Sequence, residues 1–224
     1  ILADLGARVI KVEIPGNGDD ARQVGPFYKG LNGEKNSAYF LSINRNKESI
    51  ALNLKSPEDK LIFDKLLLSA DILIENYTPG TIEKLGYGWD FLNKTYPKLI
   101  LASISGFGQT GPYRELPAYD MVVQAMGGIL SITGEEGGRP TRVGVSIGDL
   151  SAGMFGAIGV QAAIIERNKT GRGKHLDISM LDSQVALLEN ALSRYQIEGK
   201  IPEPIGSRHP SITPFGVFKA KDGF

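Results

Sequence analysis

Short apolar runs alternate with amphipathic segments along the first half of the chain. The apolar runs predict strands, because each is short and bounded by turn residues. They cover residues 8–12, 39–43, 49–53, 71–75 and 99–103. Helices are predicted from Pro57 to about Ala70, with Ser56 as the N-cap, and from Thr81 to Leu85. Strands that alternate with helices predict a parallel α/β sheet of the doubly wound kind, in which ligands bind where strands end and helices begin.

The second half of the chain is mainly helical in its pattern. Helical spacing covers residues 121–132, a long stretch from 149 and residues 181–197, and a strand is predicted at 174–180. Residues 14–37 are rich in Gly, Asn, Asp and Pro and predict a long loop, which in a compact domain is more often functional than ornamental. From 198 onward, recurring prolines indicate an irregular connector.

Composition excludes several classes of function. The 25 basic and 25 acidic residues give zero net charge, so no nucleic-acid partner is indicated. We see no apolar run that approaches a membrane span, and we expect no membrane partner. The chain has no cysteine, which excludes disulfides and thiol catalysis, and its two histidines make a histidine metal site an unfavourable hypothesis, so we expect no metal.

Asp149 stands between a glycine-flanked loop and a long apolar helix. The stretch Val143–Met154 places this carboxylate where an N-cap belongs. The free N–H groups and the helix dipole would hold it ionised, a contribution of about 0.3–1 kcal/mol. Two interpretations remain open from these residues alone: a plain helix cap, or a reactive carboxylate that the surrounding small residues leave accessible to a bulky ligand.

The stretch Gly106–Gly111 has the glycine spacing of a dinucleotide-binding fingerprint and follows a predicted strand. Pro112 stands where the phosphate-binding helix should continue, and no helix is predicted until after Tyr119. A turn-rich loop is therefore the better interpretation of this stretch.

Six stretches of the chain stand in an order that is characteristic of one family. They are Ala3–Glu13, Asn44–Ile50, Glu75–Gly80, Gly108–Pro112, Asp149 in its glycine setting, and Lys169–Lys174. Together they resemble the family III CoA-transferases (the CaiB/BaiF family). This group contains formyl-CoA, carnitine and succinyl-CoA-dependent transferases, and the α-methylacyl-CoA racemases are its relatives.

The resemblance implies a Rossmann-like large domain and a smaller domain, in an interlocked homodimer whose subunits are rings threaded through one another. Residues 1–197 would be the N-terminal part of the large, CoA-binding and catalytic α/β domain, and residues 198–224 a linker toward the small domain. The chain opens as if inside a helix that leads into a strand, so we expect a fragment that lacks the first strand and the C-terminal part. Acyl-CoA is the expected substrate, together with a small carboxylic acid, and no permanently bound cofactor is expected.

Residue by residue, the resemblance places the nucleophile at Asp149. It implies CoA contacts at Leu52, Lys55, Asn76, Tyr77, Thr78 and Lys84, and contacts beside the acyl group at Ala118, Tyr119 and Asp120. The lysines would pair with CoA phosphates as point charges, and the alternative is ordinary solvated surface lysine. One departure from the family pattern is Ile14, which stands where some members place an arginine against CoA. The glutamine and alanine that these members also use precede the first residue of the sequence.

The racemases of this group carry a histidine immediately before the acid that matches Asp120. Here that residue is Tyr119, and a phenol with a pKa near about 10 is a poor base at neutral pH. CoA transfer is therefore favoured over a racemase-like activity, and a non-catalytic CoA-binding homologue is the other alternative.

The run Gly206–Pro210, which contains Arg208 and His209, resembles a mobile loop over the active site. Arg208 could meet the second carboxylate of a dicarboxylic substrate. This hypothesis favours succinyl-CoA as donor and a dicarboxylic or hydroxy acid as acceptor. The bacterial cytoplasm and the mitochondrial matrix both fit the sequence.

Overall fold

The computed structural model describes residues 1–223, in which short parallel strands are flanked by helices. The strands are β1 Val9–Glu13, β2 Phe27–Lys29, β3 Lys35–Ser37, β4 Lys47–Ala51, β5 Ile72–Glu75, β6 Ile100–Ser105 and β7 His175–Ser179. The helices are α1 Ala38–Asn44, α2 Pro57–Ser69, α3 Thr81–Lys84, α4 Trp89–Thr95, α5 Asp120–Met126, α6 Ile129–Ile132, α7 Ile147–Thr170, α8 Met180–Ala186 and α9 Asn190–Glu198.

The parallel strands form two separate pieces. Strand β1 pairs with β4, and β6 lies between β5 and β7, all in parallel register. The long segment predicted as a loop at 14–37 instead contains an antiparallel hairpin of β2 and β3 and a short 3₁₀ turn at Asp20–Gln23. The predicted mixed α/β class with parallel strands is confirmed.

The main core lies between the two parallel pieces and helices α2 to α4. Its most buried members are Leu52, Phe63, Leu67, Ile82, Tyr87, Leu92, Leu99 and Leu101. Phe63 and Tyr87 pack edge to face, with ring centroids 4.8 Å apart. A second, smaller cluster joins Val123 of α5, Ala152 of α7 and Met180 of α8. This second cluster lies directly behind the start of α7.

Local signals explain where the predicted elements were wrong. Residues 39–43 form helix α1 and no strand, because the Ser37 side chain accepts the Phe40 N–H at 2.9 Å and caps the helix. The predicted helix at 121–132 is broken into α5 and α6 at Gly128, whose φ of 87° is a left-handed conformation. Helix α4 was missed. By contrast, Ser56 caps α2 as predicted.

Helix α7 corrects the expectation that no apolar run approaches the length of a membrane span. It has 24 residues, and its most apolar window has a mean hydropathy of 1.3. Its buried positions are small, including Ala152, Gly156 and Ala163, and they allow the helix to pack closely on β6 and β7. Packing in the core therefore explains why these positions of α7 are apolar.

Candidate active site

Asp149 is the third residue of α7, in the first turn of the helix. The sequence-based expectation that it is the N-cap is therefore wrong: Ser146 is the N-cap, and its side chain makes no capping hydrogen bond. The dipole of α7 still favours a negative charge in this first turn, although the Ile147 and Gly148 N–H groups are already hydrogen-bonded elsewhere. Asp149 is thus placed at a helix start without being used as its cap.

The carboxylate of Asp149 has no hydrogen-bond partner within the described residues 1–223, and the residue remains accessible to solvent. Partial desolvation of the carboxylate raises its pKa above the ordinary value, and repulsion from Asp120 raises this pKa further. Its oxygen lone pairs are free to react.

Asp120 links helix α5 to the start of α7. One oxygen of its carboxylate, Oδ1, accepts the backbone N–H of Gly148 at 2.8 Å. The side-chain amide of Gln124 donates to both oxygens, at 3.0 and 2.8 Å. Arg142 Nη2 lies 3.4 Å from Oδ2. Asp120 therefore fixes the residue before Asp149 and places a second carboxylate beside it.

Only glycine fits at position 148. A Cβ there would lie 2.5 Å from Val123 Cγ2 and 3.1 Å from Asp120 Oδ1. The close approach of α5 and α7 therefore depends on this glycine, which is the physical reason for a glycine immediately before Asp149.

Two buried glutamines hold the backbone on either side of Gly148. Gln124 Oε1 accepts the N–H of Val143 at 2.9 Å. From the other side, Gln184 Nε2 donates to the carbonyl of Ile147 at 3.2 Å and to Ser151 Oγ at 2.9 Å. Neither glutamine has any solvent exposure. Sequence reasoning missed both, although the spacing of Gln124 and Asp120, four residues apart on one helix, is a recognised pairing signal.

The loop after β5 carries three of the predicted CoA contacts. Asn76, Tyr77 and Thr78 are all exposed. Glu75, which is 8% exposed, accepts the Tyr77 N–H at 2.8 Å and so fixes the turn. Burial raises the pKa of Glu75 above its usual range. The loop thus presents its polar side chains outward from a buried anchor.

Thr78 and Lys84 line a cleft of about 870 Å³ beside this loop. Gln109 also lines the cleft, and its backbone N–H donates to both carboxylate oxygens of Asp177 at 3.0 and 2.9 Å. His175 also lines the cleft, and its Nε2 lies 2.9 Å from Ser103 Oγ. The cleft is large enough for part of a nucleotide-sized ligand.

The other predicted contact residues are more scattered. Leu52 is 4% exposed in the main core, and its N–H donates to the Glu13 carbonyl, so neither its side chain nor its N–H is available to a ligand. Lys55 is exposed and lies outside the cleft lining. Ala118 lies close against Gly106, and Tyr119 is 77% exposed directly before α5.

The glycine-rich loop at 106–111 leads into no phosphate-binding helix. The next helix is α5, which begins at Asp120. The interpretation of this stretch as a turn-rich loop is confirmed, and one of its members, Gln109, belongs to the wall of the cleft.

Arg208 and His209 are held within their own segment. Arg208 forms an ion pair with Glu136, and its Nε donates to the Ile205 carbonyl at 3.3 Å. His209 Nδ1 accepts the Ser211 N–H at 3.1 Å. Within residues 1–223 neither side chain contacts Asp149, so their role over the active site stays a prediction.

No group of three or more His, Asp or Glu side chains in the described part of the chain is arranged to hold a metal ion. The candidate site therefore has two parts: Asp149 with the residues that position it, and the cleft beside the loop after β5, whose lining does not include Asp149.

Comparison with known proteins identifies the family. The model of CoA-transferase family III matches residues 1–224. The chain therefore belongs to the family III CoA-transferases, and the resemblance inferred from the six stretches is confirmed.

Relatives and solved structures support the same assignment. The chain is 50% identical to the acetyl-CoA:oxalate CoA-transferase of Acetobacter aceti over 99% of its length, which is 56% of that protein. It is 43% identical to the succinate–glutarate CoA-transferase of Agrobacterium fabrum over its whole length, again 56% of that protein. A crystal structure of a CAIB/BAIF family protein from Brucella suis matches with a TM-score of 0.92 and 41% identity, covering 99% of this chain and 58% of that one. The chain thus spans about half the length of the curated relatives it matches.

Proposed function

We propose that this protein transfers CoA from an acyl-CoA to a carboxylic acid by covalent catalysis at Asp149. The observation that carries the proposal is the Asp149 carboxylate itself: accessible, without a hydrogen-bond partner within residues 1–223, and fixed at the start of α7 by α5 and α8. A nucleophile needs free lone pairs and a well-positioned backbone; the carboxylate has the first, and the bonds to Gly148 and Ile147 supply the second.

The donor and acceptor are proposed from the relatives. Relatives that match over nearly all of this chain are named for transfer to oxalate, glutarate and mesaconate, with acetyl-CoA or succinyl-CoA as donor. We propose succinyl-CoA as the donor and a small dicarboxylic or hydroxy acid as the acceptor. CoA and its thioesters are substrates in this scheme, and no permanently bound cofactor takes part.

The proposed reaction exchanges one bond at a time. An oxygen of Asp149 attacks the thioester carbonyl, the C–S bond breaks, CoA leaves as the thiolate, and a mixed anhydride remains. The thiolate then attacks the Asp149 carbonyl of that anhydride, which releases the donor acid and leaves an aspartyl–CoA thioester. The acceptor carboxylate repeats both steps in reverse order, so that the new acyl-CoA leaves and Asp149 is regenerated. No net proton is consumed, and each step exchanges one acyl leaving group for another.

Fewer backbone N–H groups at the start of α7 are free to stabilise an oxyanion than a helix start ordinarily offers. The Ile147 N–H bonds to the Val145 carbonyl at 2.8 Å, and the Gly148 N–H is taken by Asp120. Among the first three N–H groups of α7, only that of Asp149 has no hydrogen bond within residues 1–223. We propose that the remaining donors for the developing oxyanion come from a segment outside these residues.

CoA is proposed to bind along the loop after β5 and the cleft beside it. Thr78 and Lys84 line the cleft, and Asn76 and Tyr77 are exposed on the same loop. Lys84 would pair with a phosphate, and Lys55, Leu52 and the Ala118–Asp120 segment complete the predicted set. Replacing Lys84 by Ala should raise KM for acyl-CoA several-fold with little change in kcat, as expected for loss of an exposed phosphate contact.

A racemase-like activity is less well supported. Tyr119, in place of the racemase histidine, is 77% exposed at the start of α5. His175 is hydrogen-bonded to Ser103 beside the cleft, and His209 lies in the segment near Phe215. No histidine within residues 1–223 contacts Asp149. A non-catalytic homologue would bind CoA without turnover and stays the other alternative.

The two separate parallel pieces fit a larger Rossmann-like domain. In the doubly wound strand order 3-2-1-4-5-6, β4 and β1 supply strands 3 and 2, and β5, β6 and β7 supply strands 4, 5 and 6. We propose that a further strand of the complete polypeptide lies between β1 and β5. Residues 1–197 would then belong to the large domain, and the helix end at Glu198 with Gly199 as its cap would begin the linker.

The exposed side of α7 supports the proposed interlocked homodimer. Leu150, Met154, Ile158 and Ile165 form an apolar stripe along the helix, and they are 46–61% exposed in the single chain. Such a stripe on a core helix is typical of a surface that another chain or segment covers. The compartment, bacterial cytoplasm or mitochondrial matrix, stays a prediction.

The test of the proposed activity compares two aspartates at equivalent helix positions. Asp149 is the third residue of α7, and Asp182 is the third residue of α8. In the complete protein, Asp149→Asn should reduce CoA transfer from succinyl-CoA to glutarate by at least about 10³-fold, whereas Asp182→Asn should leave it within about threefold. Equal activities of the two variants would contradict the proposal. Thermal melting curves verify that both variants are folded.

A further inference from the structure

The guanidinium of Arg142 lies beside Asp120, the acid that binds the start of α7. Its Nη2 is 3.4 Å from Asp120 Oδ2, and its Nη1 donates to the Gly144 carbonyl at 3.3 Å. The other oxygen of the same Asp120 carboxylate binds Gly148, the residue before the nucleophile. Arg142 is thus separated from the start of α7 by a single carboxylate group.

Both contacts of Arg142 are long for a charged donor, since strong guanidinium–carboxylate bonds are about 2.7–2.9 Å. Arg22 in the same chain shows the tight form, with its Nε and Nη2 at 2.7 and 2.8 Å from the two oxygens of Glu13. The Arg142 side chain is 38% exposed, and three of its five N–H groups have no hydrogen bond within residues 1–223. Arg142 therefore retains donors for a further anion.

Asp149 and Asp120 disfavour a further anion in this part of the site unless a cation meets it. Asp149 and Asp120 carry two negative charges against the single positive charge of Arg142. Within residues 1–223, no other basic side chain forms an ion pair with either acid. Arg208, the alternative predicted from the sequence, is paired with Glu136. A substrate that brings two carboxylates to Asp149 therefore needs a cation for the one that does not react.

We propose that Arg142 selects dicarboxylic substrates by binding the carboxylate distal to the reacting one. The inference rests on the proposed CoA transfer at Asp149 and names the substrate class of that site. The planar fork of Arg142 matches a carboxylate in a bidentate contact, which a neutral chain end cannot replace. Asp120 holds the guanidinium loosely from one side and leaves the other edge of the fork to the substrate.

The test compares glutarate with pentanoate, in which a methyl group replaces the distal carboxylate. In the complete protein, Arg142→Ala should lower kcat/KM for glutarate by about 10- to 100-fold, the effect of one lost hydrogen-bonded charge, and should leave pentanoate within about threefold. Arg142→Lys should restore part of the loss. Arg139→Ala is the matched control, since Arg139 is an exposed arginine in the turn just before; it should change neither substrate.

Two results would overturn the inference. Equal losses for glutarate and pentanoate would mean that Arg142 acts only through Asp120. Unchanged selectivity in Arg142→Ala, with transfer intact, would leave the proposed function standing without a role for Arg142.

A binding measurement keeps the inference separate from turnover. Saturation-transfer NMR on the CoA-loaded protein should detect glutarate with the wild type and lose the signal in Arg142→Ala. Arg142-dependent glutarate binding without any transfer would support the inference and contradict the proposed function.

Discussion

Glu13 and Asp149 are carboxylates at the ends of secondary-structure elements, and their surroundings are opposite. Glu13 ends β1 and is 6% exposed. It accepts two hydrogen bonds from Arg22, one from Ser49 Oγ at 2.7 Å and one from the Asp19 N–H at 3.0 Å. These contacts, with the Arg22 hydrogen bonds foremost, lower its pKa to about 2. All its acceptor capacity is used within the protein.

Asp149 has none of these partners within residues 1–223, and its pKa is shifted upward. The difference separates a carboxylate that stabilises the fold from one that is available for chemistry. A structural acid is neutralised by cations and donors, and this makes it a weak nucleophile. An acid left without donors beside a second acid costs stability and gains reactivity, a combination typical of active sites.

The largest expected effect on stability comes from removing the partner of Glu13. Arg22→Ala should lower the free energy of unfolding by about 2–3 kcal/mol, because it leaves a buried carboxylate without its cation. Arg8→Ala, which breaks the exposed pair of Arg8 with Glu48, is the matched control and should have little effect. Urea denaturation at pH 7 measures both.

The pH dependence of stability checks the same pair. Because the folded-state pKa of Glu13 is about 2 and the usual value is 4.5, its contribution is fully present above about pH 4.5 and is lost as pH falls through about 2. The wild type should therefore lose its advantage over Arg22→Ala as pH falls below 4.5. A constant difference between pH 7 and pH 3 would contradict this account.

A smaller effect is expected at Asp120, the carboxylate whose charge raises the pKa of Asp149. Asp120→Asn keeps an oxygen that can accept the Gly148 N–H but removes the charge that raises the Asp149 pKa. The proposed mechanism requires the ionised form of Asp149, so the acid limb of kcat/KM should move to lower pH in the variant. We expect kcat at neutral pH to fall by about tenfold, because Arg142 and Gln124 lose their anionic partner. An acid limb that stays in place would mean that desolvation alone sets the pKa of Asp149.

The smallest effect is expected at Glu75, which is buried without an ion pair in the described residues but accepts the Tyr77 N–H. Its pKa is raised, so burial disfavours its ionised form and its contribution to stability is lost as pH rises through the folded-state pKa. Glu75→Gln keeps the acceptor and removes the charge. At pH 7 it should change the free energy of unfolding by no more than about 1 kcal/mol, with acyl-CoA KM nearly unchanged. A large loss of stability would contradict this account, because it would mean that the charge of Glu75 stabilises the fold as that of Glu13 does.

The sequence predicted the features that depend on local signals. The Ser56 cap, the parallel strands after it, and the turn-rich loop at 106–111 follow from neighbouring residues, and the structure confirms them. The residues around Asp149 were predicted only as a glycine-flanked helix start. The predicted N-cap, Asp149, lies three residues after the observed N-cap, Ser146. Ser146 makes no side-chain capping bond, so the usual signal was absent.

Long-range contacts account for what the sequence did not predict. Arg142, Gln124 and Gln184 meet the start of α7 from three different segments, and no local pattern brings them together. Helix α1 was mistaken for a strand because its apolar run is short, and the Ser37 cap that decides it lies in a segment predicted as loop.

Trapping of the acyl group on Asp149 tests the central claim most directly. The complete protein is incubated with succinyl-CoA, quenched with hydroxylamine, and digested for peptide mass spectrometry. The account predicts a hydroxamate on Asp149, present in the Asp182→Asn control and absent in Asp149→Asn. CoA binding without any adduct on Asp149 would contradict the claim that this unpaired carboxylate is the nucleophile.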